Sequence, residues 1–258
     1  RKAFKKRSDI NGLVANYDDL HKCIFYIQHQ VRQVDYHRLT EEAASHYTVM
    51  GSDLDDYITQ GERFISPSRK KPFKELSAVI TNEKKIGDEF ERFWYMLPTL
   101  RERHVPNLCI SRVCGESPET IFINQVLGKE IIVDANFITL WNPRQRDQLI
   151  TFALFNSTWV KLFLEIIGTA MGGGALKIEA SHVRKIVFPR IDDTKKTELE
   201  SIGKTILKNR SINGKIQKQI DEIVTSPFGD ENREFVSSQL EALLIKRIEE
   251  RTGRKTDE

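Results

Sequence analysis

Leu108-Cys109-Ile110-Ser111-Arg112-Val113, Thr120-Ile121-Phe122-Ile123-Asn124, Glu130-Ile131-Ile132-Val133 and Phe137-Ile138-Thr139-Leu140-Trp141 decide how this chain folds. These short runs are rich in β-branched and aromatic residues. Gly115-Glu116-Ser117-Pro118, Leu127-Gly128-Lys129 and the Asp134-Ala135-Asn136 step separate them, so they read as strands joined by tight turns. No regular helix intervenes, which argues against a doubly wound parallel sheet. Upstream, 76–80 reads as a further strand, and Phe90, Phe93, Trp94 and Leu97 as a helical turn.

Helices are expected on either side. In 13–38, Leu13, Tyr17, Leu20, Ile24, Ile27, Val31 and Val34 recur at spacings of three and four. In 147–167, Leu149, Phe152, Phe155, Trp159, Leu162, Phe163 and Ile166 form a broad apolar stripe that stops at Gly168. Beyond it, 175–178 reads as a strand, 181–185 as a turn of helix with Ser181 as N-cap, and 186–188 as a strand closed by Pro189. From Asp192, the residues Leu199, Ile202, Ile206, Asn209, Asn213, Ile216, Ile220 and Ile223 make a 3,4 seam interrupted by two Asn. A last helix is expected over 231–251 after Pro227-Phe228-Gly229. The fold class is therefore α+β, divided into a helical lead-in and linker (1–60), an α+β part (61–190) and a helical tail (191–258). No internal repeat is visible.

The 258 residues suit one large domain or two small ones, with 39% apolar and 30% charged residues against a usual ~45–50% and ~25%. The formal net charge of +3 hides strong local blocks. Residues 1–7 carry five cations, Glu41 to Glu62 six anions and no Lys or Arg, and Arg63 to Lys74 five cations and no anion. Between Gly172 and Arg190, Lys177, Arg184, Lys185 and Arg190 face only Glu179. Such blocks can give a near-neutral protein one positive face that concentrates a polyanion. No apolar run approaches the ~18 residues of a membrane span, and the basic start leads into polar sequence, unlike a signal peptide. Cys23, Cys109 and Cys114 are sparse and odd in number, which points to a reducing, cytoplasmic setting.

No complete active site emerges. Gly172-Gly173-Gly174 is not a phosphate-binding loop, since no Gly-Lys-Ser/Thr follows it, and no Gly-x-Ser-x-Gly elbow is present. Cys109 and Cys114 lack a second pair, and His21, His29 and His37 lack partners, so no metal site is expected. Glu83-Lys84-Lys85 has the Glu-x-Lys pattern of metal-dependent nucleases, but no Pro-Asp precedes it at a convincing distance.

Val133-Asp134-Ala135-Asn136-Phe137, Leu154-Phe155-Asn156-Ser157, Gly172-Gly173-Gly174-Ala175-Leu176-Lys177-Ile178 and Ile186-Val187-Phe188-Pro189 come in an order that resembles the C-terminal target-recognition region of adenine-specific DNA methyltransferases of restriction–modification systems. Ile220-Asp221-Glu222-Ile223-Val224 and the closing Leu/Arg-rich helix also resemble that family's C-terminus. The resemblance covers about half the chain. It implies sequence-specific binding of double-stranded DNA by a recognition domain with helical flanks. The family's Asn-Pro-Pro-Tyr/Phe motif is missing, the only Asn-Pro being Asn142-Pro143-Arg144, and so is its S-adenosylmethionine turn. The resemblance thus implies no catalytic residue and no cofactor in this chain. It places the methyltransferase domain, with S-adenosylmethionine, N-terminal to Arg1 in a longer protein that also works with a restriction subunit or nuclease.

A recognition domain must hold phosphates and place a few side chains on base edges. Candidates for DNA binding are Lys177, Arg184, Lys185, Arg190, Gly172, Gly173, Gly174, Ser181, Arg112, Arg101, Arg103, Arg69, Lys70 and Lys71. Glycines allow close backbone approach to a phosphate, or simply a tight return; Ser181 opens a short helix that would face phosphate; Arg112 and Arg69 suit bidentate reading of guanine. Asp134, Asn136, Asn156 and Ser157 are expected to serve structure through local hydrogen bonds and a bond to a neighbouring strand. The rival readings are a protein-interaction module using the 199–223 seam and a metal-dependent nuclease using Glu83 and Lys85.

Overall fold

The computed structural model describes residues 1–65, 67, 70–81, 84–86, 90–97 and 99–253, with the backbone alone at 84–86, 90, 91 and 103. The fold is α+β, and the chain packs as two compact units, Arg1–Ile24 with Glu102–Glu258, and Phe25–Arg101. The boundaries drawn at 60 and 190 do not coincide with these units. Residues 1–24 pack with the later strands, and the helical tail shares their core.

In the larger unit, Phe137–Leu140, Leu108–Ser111, Thr120–Ile123 and Val14–Ala15 lie side by side in that order. The first three are antiparallel and the last joins parallel to Thr120–Ile123. A second sheet sets Ile131–Val133 parallel to Lys2–Phe4, which pairs antiparallel with Lys22–Cys23. Strand alternation explains why these runs are apolar throughout. Leu108, Phe122 and Val14 join a core shared with helices, whereas Cys109, Ile121, Ile123 and Ala15 pack with Phe4, Ile131 and Val133 of the second sheet. Both faces are buried. Burial also pushes the Cys109 thiol far above its ordinary value, and Cys114 up to about 11, so neither is a reactive thiolate.

The helical layer consists of α1 (Gln145–Phe155), α2 (Thr158–Ile167), α3 (Ala180–Val183), α4 (Asp193–Asn209), α5 (Gly214–Thr225) and α6 (Asp230–Thr252). The helix expected over 147–167 is two helices bent by 67°. Asn156 causes the break. Its amide accepts from Thr120 N–H and donates to Thr120 C=O, both at 3.0 Å, and donates to Phe152 C=O at 2.9 Å. Ser157 then caps α2 by accepting from Val160 N–H. The Asp221 carboxylate takes Thr158 N–H at 2.8 Å and the Thr158 hydroxyl at 2.7 Å, while Gln217 bridges Asp221 to Asn156 C=O. Burial holds the Asp221 carboxyl above its ordinary value despite these donors.

The tail seam also breaks once. Arg210 adopts a left-handed turn at φ 59° and Asn213 caps α5, so the two Asn of the seam mark a turn between helices. Leu199, Ile206, Ile216, Ile220 and Ile223 are all buried against the sheet and α1.

Residues 13–38 are not a helix. The described elements there are the strands Val14–Ala15, Lys22–Cys23 and Gln30–Val31, the 3-10 turn Tyr17–Asp19 and the helical turn Gln33–Tyr36. Gly12 at φ +70° and the turn at Asn16–Asp19 break the backbone, and Val14 finds its partner in Phe122 across the sheet. Nonlocal pairing outweighs a helical spacing made largely by β-branched and aromatic residues. Ser77–Ile80 is a helical turn rather than a strand, Phe90–Arg92 is a strand rather than a helical turn, and no strand forms at 186–188.

The smaller unit packs Ile27, Val31, Tyr47, Met50, Ile58, Phe93, Trp94 and Met96 together. Buried Arg32 grips Asp55 at 3.0 Å and Glu62 at 2.9 Å, which uses up part of the acidic block.

Candidate nucleic-acid interface

Gly168 ends α2, and the chain reverses through Thr169–Met171 and Ala175–Lys177, an antiparallel hairpin extended by Val113–Cys114. The three glycines form its turn and have different duties. Gly173 and Gly174 have φ of 76° and 74°, where side chains are strained. A Cβ on Gly174 would also lie 2.9 Å from Thr252 Cα, whereas Gly172 and Gly173 face open space. The tight-return reading thus accounts for two glycines, and Gly172 and Gly173 leave backbone accessible.

The end of α6 fastens this hairpin. The Arg251 guanidinium donates to Glu165 Oε1 and Oε2 at 2.8 and 2.9 Å, to Gly115 C=O at 3.1 Å, and to Gly174 C=O. The side chains of Arg251 and Glu165 are only 4% and 1% exposed. Sequence reasoning passed over this pair, although a lone acid within Leu162-Phe163-Leu164-Glu165-Ile166-Ile167 was its signal.

Beyond the hairpin two of the candidate cations meet on one carboxylate. Ile178 N–H donates to Arg112 C=O at 2.7 Å, which places Arg112 beside the 177–179 segment. Glu179 then joins two candidates: Lys177 Nζ lies 2.9 Å from its Oε1 and Arg112 Nη1 2.8 Å from its Oε2. The Lys177 hydrogen bond above all, with the charges of Arg112 and His182, holds the Glu179 carboxyl below its ordinary value. His182 Nδ1 accepts from Glu179 N–H at 3.2 Å. Ser181 is not the cap of the short helix: Glu179 is its N-cap, and Ser181 sits exposed within α3. Arg184, Lys185 and Arg190 follow, exposed, and among the described residues none of the three makes an ion pair.

Lys70 and Lys71 are exposed in the smaller unit, Arg101 is its last residue, and Arg103 lies in the helical turn Glu102–His104 of the larger unit. Arg69, like Glu83 of the nuclease pattern, lies outside the described residues. In the basic start Arg1 pairs with Glu130 and Arg7 with Glu119, while Asp9 takes Lys22 and the Lys5 and Lys6 amides. Among the described residues no cluster of His, Cys, Asp and Glu could hold a metal ion, and no single helix is long and apolar enough to cross a membrane.

Asp134, Asn136, Asn156 and Asp221 of the family-like pattern all have structural duties. Asp134 accepts from Asn136 N–H at 2.9 Å in a turn, and the Asn156–Asp221 knot joins strand to helices.

No family model and no curated protein matches the chain. Its structure is similar to that of the type IIG restriction endonuclease BpuSI, with a TM-score of 0.58 and 14% identity, over 99% of this chain and 27% of that one. The chain thus has a fold like that of about a quarter of BpuSI, and spans only that share of its length.

Proposed function

We propose that this chain is a double-stranded DNA recognition module of a restriction–modification enzyme, the target-recognition part of an adenine-specific DNA methyltransferase. The methyltransferase domain and its S-adenosylmethionine would lie elsewhere in a longer protein. The observation that carries the reading is the fold similarity to part of a restriction endonuclease over 99% of the chain. The exposed cations Arg184, Lys185 and Arg190, which follow in the sequence a hairpin with open backbone at Gly172 and Gly173, support the 112–190 region as the DNA-contacting part. The interaction-module reading loses its basis, because the 199–223 seam is buried in the chain's own core.

The test is a titration of labelled duplex at about 50 and about 200 mM salt, with wild type beside Lys177→Ala/Arg184→Ala/Lys185→Ala. Affinity should fall steeply with salt, and the log–log slope should shrink by about 0.9 for each phosphate contact removed. A folded variant with unchanged affinity and slope would refute the placement. Absence of salt-dependent binding by the wild type would refute the function.

A further inference from the structure

Within the DNA-binding reading, on which this inference rests, the cations of the 112–190 face fall into two physical kinds. Arg184, Lys185 and Arg190 are exposed side chains that make no ion pair among the described residues and can follow a phosphate backbone. Arg112 is held. Its N–H donates to Asn136 C=O at 2.9 Å and its C=O accepts from Ile178 at 2.7 Å, so its backbone is fixed on both sides where Leu108–Ser111 gives way to Val113–Cys114. Its guanidinium rests on Glu179 at 2.8 Å, its Nε is buried without a partner, and 40% of the side chain stays exposed. Glu179 is itself anchored on its other oxygen by Lys177.

A carboxylate between two cations makes a poor phosphate site, because it repels the phosphate as strongly as either cation attracts it at equal distance. A base edge carries no net charge and feels no such repulsion. What base reading requires is a guanidinium held in a fixed plane, and a buttressing carboxylate supplies that. We infer that Arg112 reads the guanine of a G·C base pair in the major groove, with Glu179 as its positioning residue, while Arg184, Lys185 and Arg190 hold phosphates without regard to sequence.

The test is enrichment of a random-sequence duplex pool by the 258-residue chain and its variants, followed by titration of the selected site and a random duplex. Arg112→Lys keeps the charge and loses the fork: discrimination at one G·C position should fall about tenfold or more, with random-duplex affinity nearly unchanged. Glu179→Gln removes the anion and loosens Arg112: random-duplex affinity should rise while discrimination falls. No purely phosphate-holding cluster gives that opposed pair of changes. Arg184→Ala/Lys185→Ala should weaken all duplexes alike and keep the selected motif. A selected motif without a G·C pair, or one whose G·C positions survive in both Arg112→Lys and Glu179→Gln, would overturn the assignment and leave DNA recognition standing. A wild-type pool that stays random would overturn the recognition reading as well.

Discussion

Two of the larger unit's Arg–Glu pairs sit far apart on the burial scale. Arg251–Glu165 and Arg112–Glu179 both bring a guanidinium within 2.8 Å of a carboxylate, but the first pair is 4% and 1% exposed and the second 40% and 34%. Burial decides what each can do. The inner pair has lost its water, so each charge depends on the other, and the Arg251 guanidinium also on the Gly115 and Gly174 carbonyls; it ties α6 to the hairpin. The outer pair keeps enough water that breaking it costs little stability, which leaves it free to serve recognition. In the proposed reading the passage from scaffold to contact surface therefore falls between these two pairs.

The comparison breaks if the pairs respond alike. Arg251→Ala should have the largest effect, roughly 3–5 kcal/mol, by stranding Glu165 in the core. Replacing both residues by Met should cost far less than the single change, as chemical denaturation of the double-mutant cycle would reveal. Next is Asn156→Ala, which leaves the Thr120 N–H and C=O buried and unpaired for roughly 2–4 kcal/mol. Gly174→Ala should cost about 1–3 kcal/mol through its positive φ and the Thr252 backbone, whereas Gly172→Ala should be nearly neutral in the same melts.

Asp9 supplies a pH-dependent intermediate case. The Lys22 hydrogen bond, with the Lys5 and Lys6 amides, lowers its carboxyl to about 2 from an ordinary 3.8. A depressed folded-state value means stability present above pH 4 and lost as pH falls towards 2. Asp9→Asn should therefore cost about 1 kcal/mol at neutral pH, and the gap from wild type should close over that acid range. Glu179→Gln should leave stability close to wild type, because water screens the exposed outer pair. A loss there as large as that of Arg251→Ala would make the outer pair a scaffold element and end its role in recognition.

The strands at 108–111, 120–123, 131–133 and 137–140 were readable because β-branched runs between turn residues leave few alternatives. So were the last helix and the structural role of Asn156, a polar side chain in an apolar stripe. The 13–38 segment misled because its strands pair outside the segment, Val14 with Phe122, Lys22 with Ala3 and Val31 with Val49. Local spacing cannot register such pairing. The cations near the hairpin were found by charge counting, but their division was not. That division depends on Arg112 C=O meeting Ile178 N–H, which swings a distant arginine onto the one anion of the block. Of the family-like residues, Asn156 and Ser157 are buried in the scaffold and Asp221 ties its helices together. A resemblance carried by Asn156, Ser157 and Asp221 is thus informative about fold and silent about which bases are read.

The central claim is that duplex DNA lies on the hairpin and α3 while the buried layers only support them. Hydrogen exchange followed by mass spectrometry, with and without duplex at low salt, tests it most directly. The account predicts new protection at 110–114 and 169–190, with α1, α4 and α5 unchanged. Protection confined to α4 and α5, or none anywhere under conditions of saturating duplex, would contradict it.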